Sequence, residues 1–374
     1  MRFATLVPIL CVLAAPGAPG QDAPGGIQGG GIPDGFEPAP RRPATNPEPG
    51  IAIDRRTQIA IQRGLEYLAR HQNPNGSWTD RVGRKVHMRY ESVPGDHVGV
   101  TGLAGLAFLA SGSLPDQGPY GKNIRGAIEY ILQQVTPTGF ITANGSRMYS
   151  HAFATLFLAE VSGMTRDERV RENLRLAVRC IVSAQNSEGG WRYLPGAQDS
   201  DMSVTVCQVM ALRAARNAGI RVPRNTIDEA VRYVKRSFVP EEGAFQYQVT
   251  RAAFRHRTTF PLTAAGLTTL YGAGEYDAPE IRKGLQYLFF NRPDPDSAAS
   301  NFDYFYGQYY AVQAMFQAGG SHWKEWYRLV RDDLLRIQSA TDGSWRDLVG
   351  ANYGTAMATV ILQIPYQYLP ITER

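Results

Sequence analysis

The stretch QNPNGSW at residues 72–78 returns as QNSEGGW at residues 185–191, so a glutamine, three residues, a glycine, one residue and a tryptophan occur twice in the same order. Residues 338–345 repeat the pattern with one residue more. The glutamine can bond backbone groups left free at a helix end, the glycine permits a tight turn, and the tryptophan can fill the wedge between neighbouring units. The pattern therefore predicts a structural clamp at the junctions of a repeated unit.

The segments around this motif also repeat, which indicates a repeat architecture. Six segments carry many charged residues and have apolar residues at helical spacing, and they span 63–78, 125–140, 176–191, 229–245, 282–290 and 330–345. Each is followed by a more apolar segment that is richer in Ala, Gly and Thr, and these segments span 100–112, 149–163, 203–219, 261–274, 306–320 and 352–364.

The difference between the two sets predicts an inner ring of apolar helices and an outer ring of amphipathic helices. Six hairpins can stack in a line or close on themselves, and an open array needs special end caps. No convincing alternation typical of strands interrupts the helical spacing. The sequence therefore predicts an all-α fold, an (α/α)6 toroid of six helical hairpins over residues 51–374.

The motif weakens in the other units: the second keeps Gln134, Gly139 and Phe140, the fourth keeps Gly243 and Phe245, and the fifth lacks it. This pattern resembles the QW-type repeat of the prenyltransferase and squalene cyclase family, and the chain is similar to a single-toroid member. The resemblance implies a toroid with a central cavity for a lipophilic, isoprenoid-like small molecule.

Acid-initiated cyclases of that family carry the run Asp, any residue, Asp, Asp, whose middle carboxyl group protonates an alkene. This chain has Asp199, Ser200, Asp201 and Met202 in the corresponding order. Such an acid needs a raised pKa. The resemblance implies Asp201 as the general acid and Asp199 as its partner, but the third aspartate is absent and the chain is long enough for only one toroid. Cyclisation of squalene itself is therefore not expected.

Zinc-dependent prenyltransferases hold their metal with Asp, Cys and His, and the nearest candidates here are Asp201, Cys207 and His256. Their spacing is not that of the family, so we expect no zinc and no other cofactor. The helical segments that contain Cys180 and Cys207 favour buried thiols, although one disulfide fits an oxidising compartment.

The N-terminal residues predict export. Residues 1–20 have one arginine, an apolar run and then small residues, the layout of a cleaved signal peptide. Residues 21–50 are rich in Pro and Gly and predict a flexible linker. We expect a periplasmic or extracellular protein without a transmembrane anchor. The net charge of +5 comes from scattered arginines and does not indicate a nucleic-acid partner.

Polar residues at the start of the second helices form a candidate site. Parallel inner helices would gather them at one end of the barrel, where helix N-termini favour anionic or hydrogen-bonding ligands. The candidate ligand-binding residues are Asp96, His97, Arg147, His151, Thr205, Asp303, Tyr304, Tyr306 and Tyr309. The alternative is that the aspartates and threonines are helix caps and the aromatic residues belong to the core.

Three functions stay open at the level of sequence. The first is chemistry of the terpenoid cyclase type, with the rings of Tyr304, Tyr306 and Tyr309 stabilising positive charge, and it predicts a deep, mostly apolar cavity. The second is a scaffold without catalysis that binds an envelope protein or a glycan, and it predicts a shallow or filled centre. The third is polysaccharide cleavage by paired carboxylates drawn from Asp96, Asp201 and Asp303.

Overall fold

The structure is a computed structural model and describes residues 51, 53–86, 89–249 and 257–369. The predicted signal peptide, the linker and His256 lie outside the described residues. The helices of the described part are α1 Arg55–Arg70, α2 Val98–Ala110, α3 Gly121–Gln133, α4 Met148–Ser162, α5 Glu168–Ser183, α6 Met202–Asn217, α7 Arg224–Arg236, α8 Phe260–Gly272, α9 Pro279–Phe290, α10 Asp303–Ala318, α11 Gly320–Ile337 and α12 Ala351–Gln363.

The even-numbered helices form the predicted inner ring. Each contacts the next, from α2 through α12, and α12 contacts α2, so the ring is closed. All thirteen residues of α2 are buried, as the apolar composition of the inner helices requires. The fold is the expected (α/α)6 toroid.

The odd-numbered helices form the outer ring and bury one stripe each. In α1 the buried positions include Ala60, Ile61, Gly64, Leu65 and Leu68, which are spaced by three or four residues. Most outer helices pack chiefly against the inner helix that precedes them in the chain, and α1 packs against α12. The packed pairs are therefore offset by one helix from the hairpins read in the sequence, and the motif loops connect neighbouring pairs.

Two short β-hairpins interrupt the helices, which the sequence did not predict. Strands β1 Thr79–Val86 and β2 Arg89–Asp96 pair antiparallel between α1 and α2, and β3 Phe238–Val239 pairs with β4 Ala244–Phe245. The first hairpin is fixed by a long-range contact, because the amide of Arg81 donates to the carbonyl of Val349, 2.9 Å away. The hairpin held in this way forms a wall at one end of the toroid.

The motif clamps neighbouring units as predicted. Gln72 donates its side-chain amide to the carbonyls of Gly76 in its own loop and Asn123 in α3, at 2.9 Å each. The indole of Trp78 is fully buried and donates to the carbonyl of Leu68 at 2.8 Å. Equivalent bonds are made by Gln185 with Gly189 and Thr226, by Trp191 with Ile181, by Gln338 with Gly343 and Ala60, and by Trp345 with Leu334.

The glycine of the motif is required by geometry. Gly76 has a φ of +89°, and a Cβ atom there would lie 2.1 Å from the carbonyl oxygen of Gly126 in α3. In the second unit the tryptophan position is taken by Ile141, which is fully buried, whereas Phe140 is half-buried. In the second unit, Ile141 therefore takes the place in the clamp that the sequence motif assigns to Phe140.

The two cysteines of the described part, Cys180 and Cys207, are buried and unpaired. Among the described helices, none has both the length and the apolar character needed to cross a bilayer.

Candidate functional site

A cavity of about 490 Å³ lies at the end of the toroid where the inner helices begin. All six inner helices contribute residues from their N-terminal turns to its lining, so their starts converge as the sequence predicted. The β1–β2 hairpin supplies Val82, Gly83 and Tyr90 to the wall. A volume of this size is typical of small-molecule sites, which generally span about 300–1,000 Å³.

The lining is mainly apolar and aromatic. Leu103 and Phe153 lie one turn into α2 and α4, and the tyrosines of the wall are Tyr90, Tyr149, Tyr193, Tyr247, Tyr306 and Tyr353. Among the described residues of the lining, four side chains carry acidic or basic groups other than tyrosine hydroxyls, namely His97, Arg147, Arg257 and Asp303. The centre is thus neither filled nor strongly polar, which fits the cavity expected for the first of the three functions.

Asp201 lies fully buried at the start of α6, beside this cavity. Its Oδ1 accepts hydrogen bonds from the amide of Val204 and the hydroxyl of Ser203, both at 2.8 Å. The guanidinium of Arg192 lies 3.4 Å from Oδ2. Burial raises the pKa of Asp201 from 3.8 to about 6, although these contacts favour the ionised form and limit the rise.

Tyrosine hydroxyls connect Asp201 to the cavity wall. The hydroxyl of Tyr247 lies 3.3 Å from Oδ2 of Asp201 and shares a short hydrogen bond with the hydroxyl of Tyr193. On the other carboxylate oxygen, Ser203 continues to the hydroxyl of Tyr149 at 2.5 Å. Since Tyr149, Tyr193, Ser203 and Tyr247 all line the cavity, two hydroxyl chains lead from it to a buried acid.

Asp199 is placed differently from its predicted partner. Its side chain is 60% exposed and forms an ion pair with Arg192. Asp199 does not line the cavity, and it acts on Asp201 only through the shared arginine.

Four of the predicted ligand-binding residues line the cavity: His97, Arg147, Asp303 and Tyr306. His97 caps α2 through Nδ1, which accepts from the amide of Val100 at 3.4 Å, and burial lowers its pKa to about 4. Tyr306 donates to the carbonyl of Ser203 at 2.9 Å and so ties α10 to α6.

The remaining predicted residues lie outside the cavity lining. Thr205 and His151 belong to the clamp, because Oγ1 of Thr205 accepts the amide of Trp191 at 3.1 Å and Nδ1 of His151 accepts that of Ile141 at 3.0 Å. Thr101, Thr263 and Thr355 accept equivalent amides. These side chains occupy equivalent positions in the first turns of the inner helices, but they turn toward their loops.

Asp96, Tyr304 and Tyr309 also lie elsewhere. Asp96 accepts bonds from Asn73, Asn75 and Thr79 at 2.8–3.0 Å and so holds the first motif loop. Tyr304 and Tyr309 are buried in the core, behind the residues that face the cavity. Of the three aspartates considered for polysaccharide cleavage, only Asp303 lines the cavity.

A fixed spacing from the aromatic residue of the motif identifies several residues near the cavity that the sequence analysis did not name. The position two residues after Trp78, Trp191, Phe245 and Trp345, the buried aromatic residues of four of the motifs, holds Asp80, Tyr193, Tyr247 and Asp347. Two of these are the tyrosines described above. The other two are buried carboxyl groups at the start of α12, three helices around the ring from Asp201.

Those two carboxyl groups have raised pKa values. Asp80 accepts the amide of Tyr353 at 2.7 Å, and burial raises its pKa to about 7. Asp347 accepts the amide of Val349 at 2.8 Å, while its other oxygen, Oδ2, has no partner. Burial and the nearby Asp80 raise the pKa of Asp347 to about 8. Within the described residues, no cluster of His, Cys, Asp and Glu side chains is suited to hold a metal ion.

Comparison with known proteins places this fold among the α/α toroids. No family model matches the chain. Drimenyl diphosphate synthase of Streptantibioticus cattleyicolor is 24% identical over 307 residues, which cover 77% of this chain and 52% of that protein, so the chain spans about half the length of the curated relative it matches.

Two solved structures represent the neighbours of this fold. A variant of the type II terpene cyclase MstE from Scytonema, in complex with geranylgeranyl dihydroxybenzoate, has a TM-score of 0.59 and 15% identity, covering 84% of this chain and 98% of that one. An inactive variant of an α-1,6-mannanase of Salegentibacter, in complex with α-1,6-mannotriose, has a TM-score of 0.60 and 8% identity, covering 83% and 99%. The fold is therefore shared by terpene cyclases and glycan-binding enzymes, and the QW repeat family itself is not confirmed.

Proposed function

We propose that the protein binds a lipophilic, isoprenoid-like molecule in the cavity and starts its cyclisation by protonating an alkene. The observation that carries this proposal is the position of Asp201: a fully buried carboxyl group with a raised pKa, joined by tyrosine hydroxyls to an aromatic cavity. The likeness to drimenyl diphosphate synthase and to a type II terpene cyclase supports it.

The proton would pass through Tyr247. Its hydroxyl gives a proton to an alkene carbon and takes one from Asp201, so a C–H bond forms, the π bond becomes a carbocation, and Asp201 is left ionised. The rings of Tyr149 and Tyr306, which line the cavity, stabilise the cation. Loss of a proton from the cyclised cation completes an isomerisation, and solvent reprotonates Asp201.

The site departs from the cyclase motif at Met202, which stands where a third aspartate is expected. Met202 is fully buried, and its amide donates to the carbonyl of Tyr247 at 2.9 Å. This bond holds the backbone of Tyr247 against the start of α6. Because the bond is made by the backbone amide, this position holds the proposed relay in place whichever side chain it carries.

The test is to incubate the purified chain with farnesol and geranylgeraniol near pH 6 and to analyse the products by gas chromatography and mass spectrometry. We expect cyclic products of unchanged mass. Asp201→Asn and Tyr247→Phe should remove them, whereas Asp199→Asn should retain them because its carboxylate is exposed. Full turnover by Asp201→Asn would contradict the proposal.

Binding of a glycan is the second candidate. It is favoured by the mannotriose-bound neighbour and by the carboxyl groups of Asp303, in the lining, and Asp347, buried near α12. Calorimetric titration with α-1,6-mannotriose decides it, since a saturable heat with this sugar and none with the isoprenoids would reverse the order of the two candidates. Binding of an envelope protein to the mouth of the toroid is a further form of this scaffold role.

We also propose that the chain is exported, on the basis of residues 1–20 alone. Fusing these residues to a reporter that is active only outside the cytoplasm tests this. A reporter that stays inactive would contradict export.

A further inference from the structure

The β1–β2 hairpin is joined to the start of α12 along one line of contact, which we call the seam. On the hairpin side the seam consists of Asp80 and Arg81, and on the other side of Val349 and Tyr353. The amide of Arg81 donates to the carbonyl of Val349 at 2.9 Å, and the carboxyl group of Asp80 accepts the amide of Tyr353 at 2.7 Å. Two neighbouring residues of β1 therefore hold the hairpin against α12.

The seam forms one side of the cavity. Val349 and Tyr353 line the cavity from the α12 side, and Val82 and Tyr90 line it from the hairpin side. The ring of Tyr90 also packs edge-on against Phe302, which lines the cavity before α10, with 4.9 Å between the ring centroids. Separation of the hairpin from α12 and Phe302 would therefore open the cavity along this side.

The base of the hairpin is held independently of the seam. Asp96, the last residue of β2, accepts bonds from Asn73 and Asn75 in the first motif loop. The amide of His97 donates to the carbonyl of Trp78 at 3.0 Å. None of these bonds involves α12, so the hairpin can move away from α12 while its base stays anchored.

The seam encloses two carboxyl groups that lack a counter-ion. Asp80 is 9% exposed and Asp347 is 8% exposed. A Cβ atom at Gly350 would overlap Oδ1 of Asp80, so the backbone packs directly on this carboxyl group. Oδ2 of Asp347 has no hydrogen-bond partner among the described residues. Ionised carboxyl groups at these positions would be poorly solvated.

The groups around this pair do not compensate for negative charge. The titratable and charged neighbours are Asp303 of α10, Tyr67 of α1, Tyr90 and Arg81 of the hairpin, Tyr353 of α12 and Arg346. The arginines act on the tyrosines but lower the pKa of neither carboxyl group, and Asp303 adds a negative charge beside Asp347. Burial raises the pKa of Asp80 to about 7 and that of Asp347 to about 8, and the charge of Asp80 contributes to the latter.

We infer that the seam is a gate to the cavity, which is closed while Asp80 and Asp347 are protonated and opens on the α12 side when both ionise. The gate regulates access to the site of the proposed function, and it rests on that function for the identity of what enters. Acidic conditions that protonate Asp201 also close the gate, so the acid is in its active form while water is excluded.

The direction of the pH effect follows from proton binding. In the open state water reaches both carboxyl groups, whose pKa then approaches the ordinary value of about 3.9. The closed state has the higher pKa values and so holds the protons more tightly. Closure is therefore most favourable below about pH 4 and is weakened progressively as the pH rises to about 8.

Hydrogen–deuterium exchange of the full chain, read by mass spectrometry, measures the opening without a ligand. Exchange in residues 79–83 is compared at about pH 5 and about pH 8, after correction for the intrinsic pH dependence of exchange. We expect the corrected rate to be at least about tenfold higher at the higher pH. Residues 238–245, which form the second hairpin, serve as an internal comparison and should change little.

Variants assign the effect to the two carboxyl groups. The double variant Asp80→Asn with Asp347→Asn does not ionise at these positions and should show slow exchange in residues 79–83 at both pH values. Asp347→Asn alone keeps the bond between Asp80 and Tyr353 and should reduce the pH effect severalfold, which provides a test if the double variant does not fold. Asp228→Asn is the matched control, because Asp228 is 56% exposed on the outer helix α7, and it should respond as wild type does.

Farnesol association, followed by stopped-flow tryptophan fluorescence, separates the gate from the proposed function. It should be faster at about pH 8 than at about pH 5 in the wild type and independent of pH in the double variant. Farnesol binding without any pH effect on exchange would overturn the gate and leave the proposed function standing. A pH effect on exchange that persists unchanged in the double variant, or that is equal in residues 238–245, would also overturn the gate. If exchange responds as expected but farnesol binds at neither pH, the proposed function fails and the gate stands.

Discussion

Replacing Asp201 with Asn should change how stability depends on pH. Burial raises the pKa of Asp201 from 3.8 to about 6 in the folded protein, so the folded state holds this proton more tightly than the unfolded chain does. The contribution of the proton to stability is therefore present below about pH 4 and is lost as the pH rises through about 6. At about 1.4 kcal/mol per pKa unit, the loss is about 3 kcal/mol.

Asparagine keeps the structural part of this site. Its carbonyl oxygen can accept the bonds that Asp201 accepts from Val204 and Ser203, and Asn is as good an N-cap as Asp. Since Asn does not ionise, the pH-dependent loss of about 3 kcal/mol should be absent from the variant. The side chain is fully buried, so solvent screening does not reduce this effect.

Urea denaturation followed by tryptophan fluorescence at about pH 4 and about pH 7 measures the effect, with the free energy of unfolding compared between wild type and variant. Other groups titrate in both proteins, so only the difference between the two proteins is interpreted. Asp199→Asn is the control, because that carboxylate is 60% exposed. A difference between wild type and Asp201→Asn that is the same at both pH values would refute the argument and remove Asp201 as a candidate acid.

Three further predictions follow from the fold. Thr205→Val should lower the free energy of unfolding by about 1–3 kcal/mol in urea denaturation, because it leaves the buried amide of Trp191 without an acceptor. The binding of farnesol should not change. Gly76→Ala should destabilise the protein by about 1–3 kcal/mol more than Gly145→Ala. Both glycines have a positive φ, but a Cβ atom would meet a neighbouring backbone only at Gly76, and thermal melts of the two variants measure the difference. Because burial raises the pKa of Asp347 to about 8, wild-type stability should fall as the pH rises toward 8, and Asp347→Asn should flatten that profile in denaturation at several pH values.

The repeat made the toroid predictable from sequence. The six amphipathic segments fix the number of units, and the motif marks the junctions where it is present. The contacts of Gln72 and Trp78 are those that their chemistry indicates. The closed ring and the convergence of inner-helix starts follow from the same repeat. The closed ring and the convergence are properties of the backbone, so neither depends on the direction in which individual side chains point.

The β1–β2 hairpin was not predictable in this way. Its strands contain Gly83, Pro94 and Gly95 and many charged residues, which weaken the alternation typical of strands. What holds it is tertiary: the carboxylate of Asp80 accepts the amide of Tyr353, and the amide of Arg81 donates to the loop before α12. Such contacts between distant segments leave little trace in local sequence.

The direction of individual side chains was likewise out of reach. Thr205 and His151 occupy equivalent positions in the first turns of α6 and α4, but whether such a side chain turns to the axis or to its loop depends on the geometry of the motif turn. In the fifth unit, which lacks the motif, Gln308 near the start of α10 is fully buried, and neither polar atom of its side chain has a hydrogen-bond partner among the described residues. This exception supports the clamp interpretation, since the polar side chain loses its partner where the loop is missing.

The repeat thus separates stability from chemistry within a single loop. The aromatic residue of the motif is anchored by its amide, and in Trp78, Trp191 and Trp345 also by its indole. This anchoring fixes the chain direction at that point, and the residue two positions later is delivered to the cavity end of the toroid. In the first, third, fourth and sixth units this position holds Asp80, Tyr193, Tyr247 and Asp347, so the scaffold constrains where the group lies but not which group it is. The same toroid can therefore place different chemical groups at this position in different proteins. In this chain the position supplies tyrosines beside Asp201 and carboxyl groups beside α12, and the substitutions at Asp201 and Tyr247 test which half acts on a ligand.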